Sequence, residues 1–255
     1  MPAPSERFLM TPPQASLPAR HTRHLEMFGR GVSPENREVL AAIDRIQARA
    51  PGGGGYFADP AARPLESPVG FALDLRGTRL FEPQRRTSFC TGASYAALIG
   101  ALDRLLPAGL ELPASAAESL AQREADGGRR EDQVGFWGVW NGSGAGQVNA
   151  LTRLTLAGDR VRPQEYRPGD FVQIFWTNGY GHSVVFLGWR VSAGTKRLRY
   201  WSSQKGTNGL GDQEVPVSRI RTVHGVRLTR PLEVLAAPSG FFVYSMDPGD
   251  RPWSP

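Results

Sequence analysis

The sequence predicts an α+β protein in which N-terminal helices pack on an antiparallel β-sheet. Three observations lead there. Helical periodicities are confined to the stretch before residue 155. From Phe171 onward the texture changes to short runs rich in β-branched and aromatic residues. Each of those runs is bounded by Gly, Asn or Pro, the punctuation of hairpins rather than of crossover helices. With 255 residues, 40% of them hydrophobic and 21% charged, the chain suits one ordinary domain with extensions, or a tight pair.

Residues 1 to about 31 are Pro-rich and aperiodic and are expected to form a mobile N-terminal arm. Ser33-Pro34-Glu35 then supplies a capping hydroxyl, a proline at the first helical position and an acid in the first turn. Val39, Leu40, Ile43 and Ile46 give the helix its apolar face, and the run Pro51-Gly52-Gly53-Gly54-Gly55 stops it. That glycine run reads as a hinge, dividing a segment 1–55 from a main domain 56–255. A strand is expected near Gly70–Leu75. A second helix opens near Thr87 and Ser88, carries Tyr95, Leu98, Leu102 and Leu105, and ends at Pro107. Ser115–Arg123 reads as helical, and an aromatic, glycine-rich loop holding Phe136, Trp137, Trp140 and Asn141 follows. Val148, Leu151 and Leu154 mark one more helix. The strands are expected at Phe171–Trp176, Ser183–Trp189, Arg197–Ser203 and Phe241–Tyr244.

The formal charge is +6, but only two of the 30 basic residues are lysines, Lys196 and Lys205. No dense basic stripe with interleaved aromatics appears, which argues against a nucleic-acid partner. No run of about 18 apolar residues exists, so no membrane-spanning helix is expected. The first twenty residues lack the apolar stretch of a signal peptide, and cytoplasmic residence, a removed leader and leaderless export all stay open. One cysteine excludes an internal disulfide framework and a multi-thiolate metal site.

That cysteine, Cys90, opens the second helix, directly after Thr87, Ser88 and Phe89. Amide N–H groups and the helix dipole favour an anion there, so a lowered thiol pKa is expected against an ordinary value of about 8.5. A free cysteine is equally at home as a small buried hydrophobe. His182 stands in Gly179-Tyr180-Gly181-His182-Ser183-Val184-Val185, a tight turn releasing into an apolar strand. A histidine there sits on a rigid element and suits a general base. The strand before it is announced by Pro168-Gly169-Asp170, with Asp170 read as structural.

A cysteine opening a helix, a Pro-Gly-Asp strand start and a Gly-His-Ser-Val-Val strand start together resemble the papain-fold cell-wall hydrolases of the NlpC and CHAP kind. The resemblance covers roughly residues 87–203. It implies a papain-like fold and a cysteine peptidase or amidase acting on peptidoglycan peptide or amide bonds through a thioester, with no cofactor. It also implies a third polar residue, on the next strand, that orients the histidine. Gln204 is the first choice there, Ser202 the second, and Asn208 reads as a turn residue. Gln84, six residues before Cys90, matches the spacing of the family's oxyanion glutamine. Trp137, Trp140, Asn178 and Tyr180, with Trp176, are expected to wall a substrate cleft, core packing being the alternative for these rings. His224 reads as a surface histidine, and His21 and His24 fall in the arm, with spacing that supports no metal site. Two rival functions remain: an acyltransferase or transglutaminase-like enzyme using the same pair, and a non-catalytic glycan-binding module with an inert thiol. Oligomeric state is open.

Overall fold

The computed structural model describes residues 7–59, 69–121, 137 and 146–236. The elements run α1 Pro12–Ala15, α2 His24–Phe28, α3 Pro34–Arg49, β1 Leu73–Leu75, β2 Thr78–Phe81, α4 Cys90–Leu105, α5 Ala114–Leu120 and α6 Gly146–Asn149. Then come β3 Gly158–Val161, β4 Phe171–Trp176, β5 Gly181–Ser192, β6 Thr195–Gln204, β7 Gly209–Pro216 and β8 Ile220–Leu228. Strands β3 to β8 form one six-stranded antiparallel sheet in the order β3-β8-β4-β5-β6-β7. This is an α+β protein with N-terminal helices packed against that sheet. Among the described residues, no helix is long and apolar enough to cross a membrane.

Helix α3 starts as the sequence expects: Ser33 accepts from the Asn36 N–H, with Pro34 in the first turn. Helix α4 is apolar nearly all round because it lies between α3 and the sheet. Its Gly100 meets the Ala42 side chain of α3, so the two helices approach closely. The sheet alternates accordingly. Val185 and Leu187 of β5 and Trp201 of β6 join the core beneath the helices. Val184, Phe186 and Tyr200 point the other way, into a second core with Tyr166, Trp189 and Val223.

Four expectations change. The segment expected as a mobile arm packs down over residues 7–31: Met10 N–H donates to Trp189 O at 2.9 Å, and Trp189 N–H to Phe8 O at 3.0 Å. A bulge between Phe186 and Gly188 brings Gly188 against Met10, where a Cβ would clash. The glycine run is no free hinge. Gly53 O accepts from Leu210 N–H, Gly55 N–H donates to Asn208 O, and Gly53, Gly54 and Gly55 all hold positive φ. Helix α3 therefore shares a core with the sheet that follows it. Strands β3, β7 and β8 are not expected from the sequence: Gly, Asp, Gln, Glu and Arg dominate β3 and β7, which neighbours rather than propensity hold in the sheet, whereas β8 carries Ile220, Thr222, Val223, Val226 and Leu228, a largely β-branched signal that the sequence reading missed. The strand expected at 241–244 lies outside the described residues. Finally, His224 is buried on β8, within 3.2 Å of Arg160 and edge-on to Phe175.

Candidate active site

Cys90 is the first residue of α4, and Phe89 before it offers no side-chain cap. The first-turn amides are therefore left without an intrahelical partner. The N–H groups of Ser183, Thr91 and Cys90 all face the sulfur and favour its anion. Burial works against them and wins. Cys90 is 8% exposed, and its pKa is raised, not lowered as the helix position alone suggests. Thr91 Oγ1 lies 3.9 Å from the sulfur.

The sheet opens at this place. Pairing between β5 and β6 stops at Val185–Trp201, although β5 reaches back to Gly181 and β6 runs on to Gln204. Side chains fill the opening. Ser202 Oγ donates to Ser183 O at 2.7 Å, and Ser88 and Ser203 share a hydrogen bond of 2.8 Å. Ser94, one turn into α4, shares another of 2.6 Å with Ser183. The thiol thus comes from the helix layer and meets the sheet beside residue 183.

His182 is one residue away along β5 and, by the alternation of the strand, belongs to the opposite face. Its ring lies edge-on to Tyr200 at 5.4 Å and 6.0 Å from Trp176. At 8% exposure, burial pushes its pKa down to about 4, only partly opposed by the Gln204 side chain. Gln204 Nε2 is fixed, donating to Thr207 Oγ1 at 2.8 Å and to Gly211 O at 2.9 Å. A carbonyl acceptor at Gly211 decides the amide's orientation, so Oε1 is the atom left to face the ring. Gln204 Oε1 and His182 Nε2 are both buried without a hydrogen-bond partner among the described residues. In the tautomer that carries its proton on Nε2, the ring would donate to that amide oxygen. No hydrogen bond joins Cys90 to His182.

Above His182 lies a cavity of about 580 Å³, walled by Tyr56, Trp176, Asn178, Tyr180, Tyr200, Gln204, Lys205, Gln213 and Arg219 among others. Asn178 and Tyr180 stand where a cleft wall is expected, with Tyr180 67% exposed. Trp137 does not. It is 1% exposed in the core beneath the helices, donates to Ser94 Oγ at 2.9 Å and packs edge-on to Phe171. Trp140, Phe136 and Asn141 lie outside the described residues. Gln84 is exposed in the loop before α4 and is not part of the cavity wall. Sequence reading missed Tyr200, although it lies on the same face of β6 as Gln204, four residues before it. Tyr56 reaches the cavity because its segment pairs with Ser88, a long-range contact with no local signal.

A second cluster forms far along the chain from these residues. His24, 0% exposed, is bonded at both ring nitrogens, to Asp44 at 2.7 Å and Asp212 at 3.0 Å. His21 reaches Asp212 at 3.1 Å and stacks on His24. Ligand atoms of His21, His24 and Asp212 lie within 4.8 Å of one another. Arg199, however, pairs with Asp212 at 2.8 Å, and His24 has no free nitrogen for a metal. The cluster is built as a charge network. Burial alone would lower the His24 pKa, but Asp212 and Asp44 overcome it and hold it at about 9.

In comparisons with known proteins, no family model, no curated protein and no solved structure matches the chain.

Proposed function

We propose that this protein is a cysteine-dependent amide hydrolase of papain-like, NlpC-type design, cleaving peptide or peptidoglycan amide bonds. Cys90 is the nucleophile, His182 the base and Gln204 the residue that orients the base. One observation carries the reading: Nε2 of the buried His182 and Oε1 of the buried Gln204 each lack a hydrogen-bond partner among the described residues, while the Gln204 side chain acts on the imidazole and its amide nitrogen is engaged elsewhere. With Nε2–H directed to Gln204, Nδ1 is the nitrogen free to accept a proton.

The pair starts neutral, since the thiol is raised and the imidazole lowered. Since the two groups share no contact in the resting protein, the reaction requires substrate binding to bring them together, and proton transfer from Cys90 to His182 accompanies attack rather than preceding it. The sulfur bonds to the carbonyl carbon, and the oxyanion is met by first-turn amides of α4, the role expected of Gln84. The C–N bond breaks as His182 returns the proton to the departing amine. Water, deprotonated by His182, then cleaves the thioester and restores the thiol.

The test is release of new amines from peptidoglycan fragments and acetylated peptides, with and without prior alkylation of Cys90. Turnover that stops on alkylation supports the hydrolase. Transfer of the acyl group to added amines in place of water would assign an acyltransferase. Absence of turnover, with ligand binding unchanged after alkylation, would replace it with a binding module.

A further inference from the structure

We infer that Ser94 and Gln147 are positioning residues for the nucleophile: together they hold Ser183 so that its main-chain N–H, freed where the sheet opens, is presented to the Cys90 sulfur. The inference deepens the hydrolase reading and rests on it for the sulfur's role in attack. In an antiparallel strand the N–H and C=O of one residue point toward the same neighbour. Ser183 O accepts from Ser202 Oγ of β6 at 2.7 Å, so the Ser183 N–H is turned toward β6 as well. The register between β5 and β6 ends at Val185–Trp201, and no β6 residue is paired with Ser183 to take that N–H. The Cys90 sulfur takes it instead. A ladder bond is thus replaced by a bond to the thiol.

The Ser183 side chain is gripped from the helix layer. Its Oγ shares a bond of 2.6 Å with Ser94 Oγ and donates to Gln147 Oε1. Ser94 is fixed in turn. It donates to Thr91 O at 3.0 Å, one residue past the nucleophile, and accepts from Trp137 Nε1 at 2.9 Å. Ser94, Trp137, Gln147 and Ser183 are all buried, where such bonds are stronger than in water. The chain of bonds ties the first turn of α4, which carries Cys90, to the strand that carries His182. Gln147 Nε2 has no hydrogen-bond partner among the described residues. A buried donor left unmet lowers stability, and an apolar side chain of similar shape would avoid that loss. Packing therefore explains Gln147 poorly, and the oxygen it offers to Ser183 explains it well. Because the thiol starts neutral, negative charge grows on sulfur only as the proton leaves. An N–H already fixed on the sulfur stabilises that charge without reorganisation.

Cys90 is the single cysteine of the chain, so cysteine labelled with a carbon isotope at Cβ gives one magnetic-resonance signal that follows thiol ionisation, whatever the access of reagents. The Tyr200 phenol, which acts with this thiol, is raised by burial, and His182 is held down at about 4, so both stay neutral as the signal moves. Ser94→Ala, Gln147→Leu and Ser183→Ala are each expected to raise the midpoint of the titration by about half a pH unit, and the Ser94→Ala, Gln147→Leu pair by about one. Amine release from the peptides is expected to fall about tenfold in that double variant, in kcat with KM little changed. Thr152→Val removes a hydroxyl bond outside the chain, Thr152 Oγ1 to Val148 O, and is expected to move neither reading. Gln147→Leu exchanges the unmet donor for an apolar side chain, so its thermal midpoint is expected to match or exceed that of the wild type. A wild-type signal that does not titrate by about pH 11, or an unchanged midpoint in folded Gln147→Leu and Ser183→Ala, overturns the inference. Midpoints that rise in a protein whose wild type releases no amine keep the clamp on the thiol and sink the hydrolase. Amine release with midpoints that stay in place does the reverse.

Discussion

At Cys90 two effects act on one thiol in opposite directions. The Cys90 and Thr91 N–H groups at the mouth of α4 and the Ser183 N–H of β5 favour the thiolate, and burial to 8% exposure disfavours it more. Iodoacetamide is therefore expected to alkylate Cys90 slowly at pH 7 and faster through the alkaline range. A rate that levels off below pH 7 would mark a standing thiolate–imidazolium pair instead. Gln204 is the residue whose role is most open to kinetic test. An amide carries no net charge, so it steadies the imidazolium less than a carboxylate does, and its loss is survivable. Gln204→Ala is expected to lower kcat by roughly ten- to a hundredfold, about 1.4–2.7 kcal/mol of barrier, with KM little changed. The Ser202 hydroxyl proton is engaged on Ser183 O, so Ser202→Ala is expected to leave the pH profile in place. The reverse pattern would move the orienting role to Ser202.

At the scale of elements, the N-terminal segment and β6 depend on each other through Arg199. Its guanidinium donates to the carbonyls of Leu17 at 2.9 Å and of Gln14 and Ala15 at 3.3 Å, while pairing with Asp212. One buried cation thus satisfies a stretch of chain that has almost no regular structure of its own. Arg199→Met keeps the apolar stem and removes every one of those bonds, leaving Asp212 short of a partner. Loss of one member of a buried pair costs about 3–5 kcal/mol, and a matching fall in the urea midpoint is expected. Limited proteolysis should then cut within residues 7–23 before any cut in the sheet. Unchanged protection of that segment would show that the Phe8–Trp189 and Met10–Trp189 bonds hold it alone.

Across the whole molecule two buried histidines pull stability in opposite directions with pH. His24 holds its proton up to about 9 when folded, against about 6.5 for a free histidine. Its contribution is complete below pH 6.5 and is lost as the pH rises through 9, where the folded state binds more protons than the unfolded one. His182 stays neutral down to about 4. Between pH 6.5 and 4 the unfolded chain takes up a proton that the folded one refuses, so stability falls with acidity. A maximum near pH 6.5 is expected, each limb sloping by at most about 1.4 kcal/mol per pH unit. Urea midpoints from pH 4 to 10 read this directly. His24→Asn should flatten the alkaline limb and His182→Asn the acid one; limbs that persist in both variants would assign the pH dependence to other groups.

The fold class and the local actors were legible in short stretches of the chain. Periodicity placed α3 and α4, β-branched runs placed β4, β5 and β6, and glycines bracketing His182 put it at the start of a strand, all properties of a few neighbouring residues. Alternation along β6 would also put Gln204 on the Tyr200 face, a step that the sequence reading did not take. Tertiary structure decided which groups meet and in what state. Burial reversed the pKa expected of Cys90, turned Trp137 from cleft wall to core, and drew His24, Asp44, Arg199 and Asp212 together from four separate elements. None of that is local. Desolvation and ion pairing depend on what packs around a group, and for these residues most of what packs lies far away along the chain.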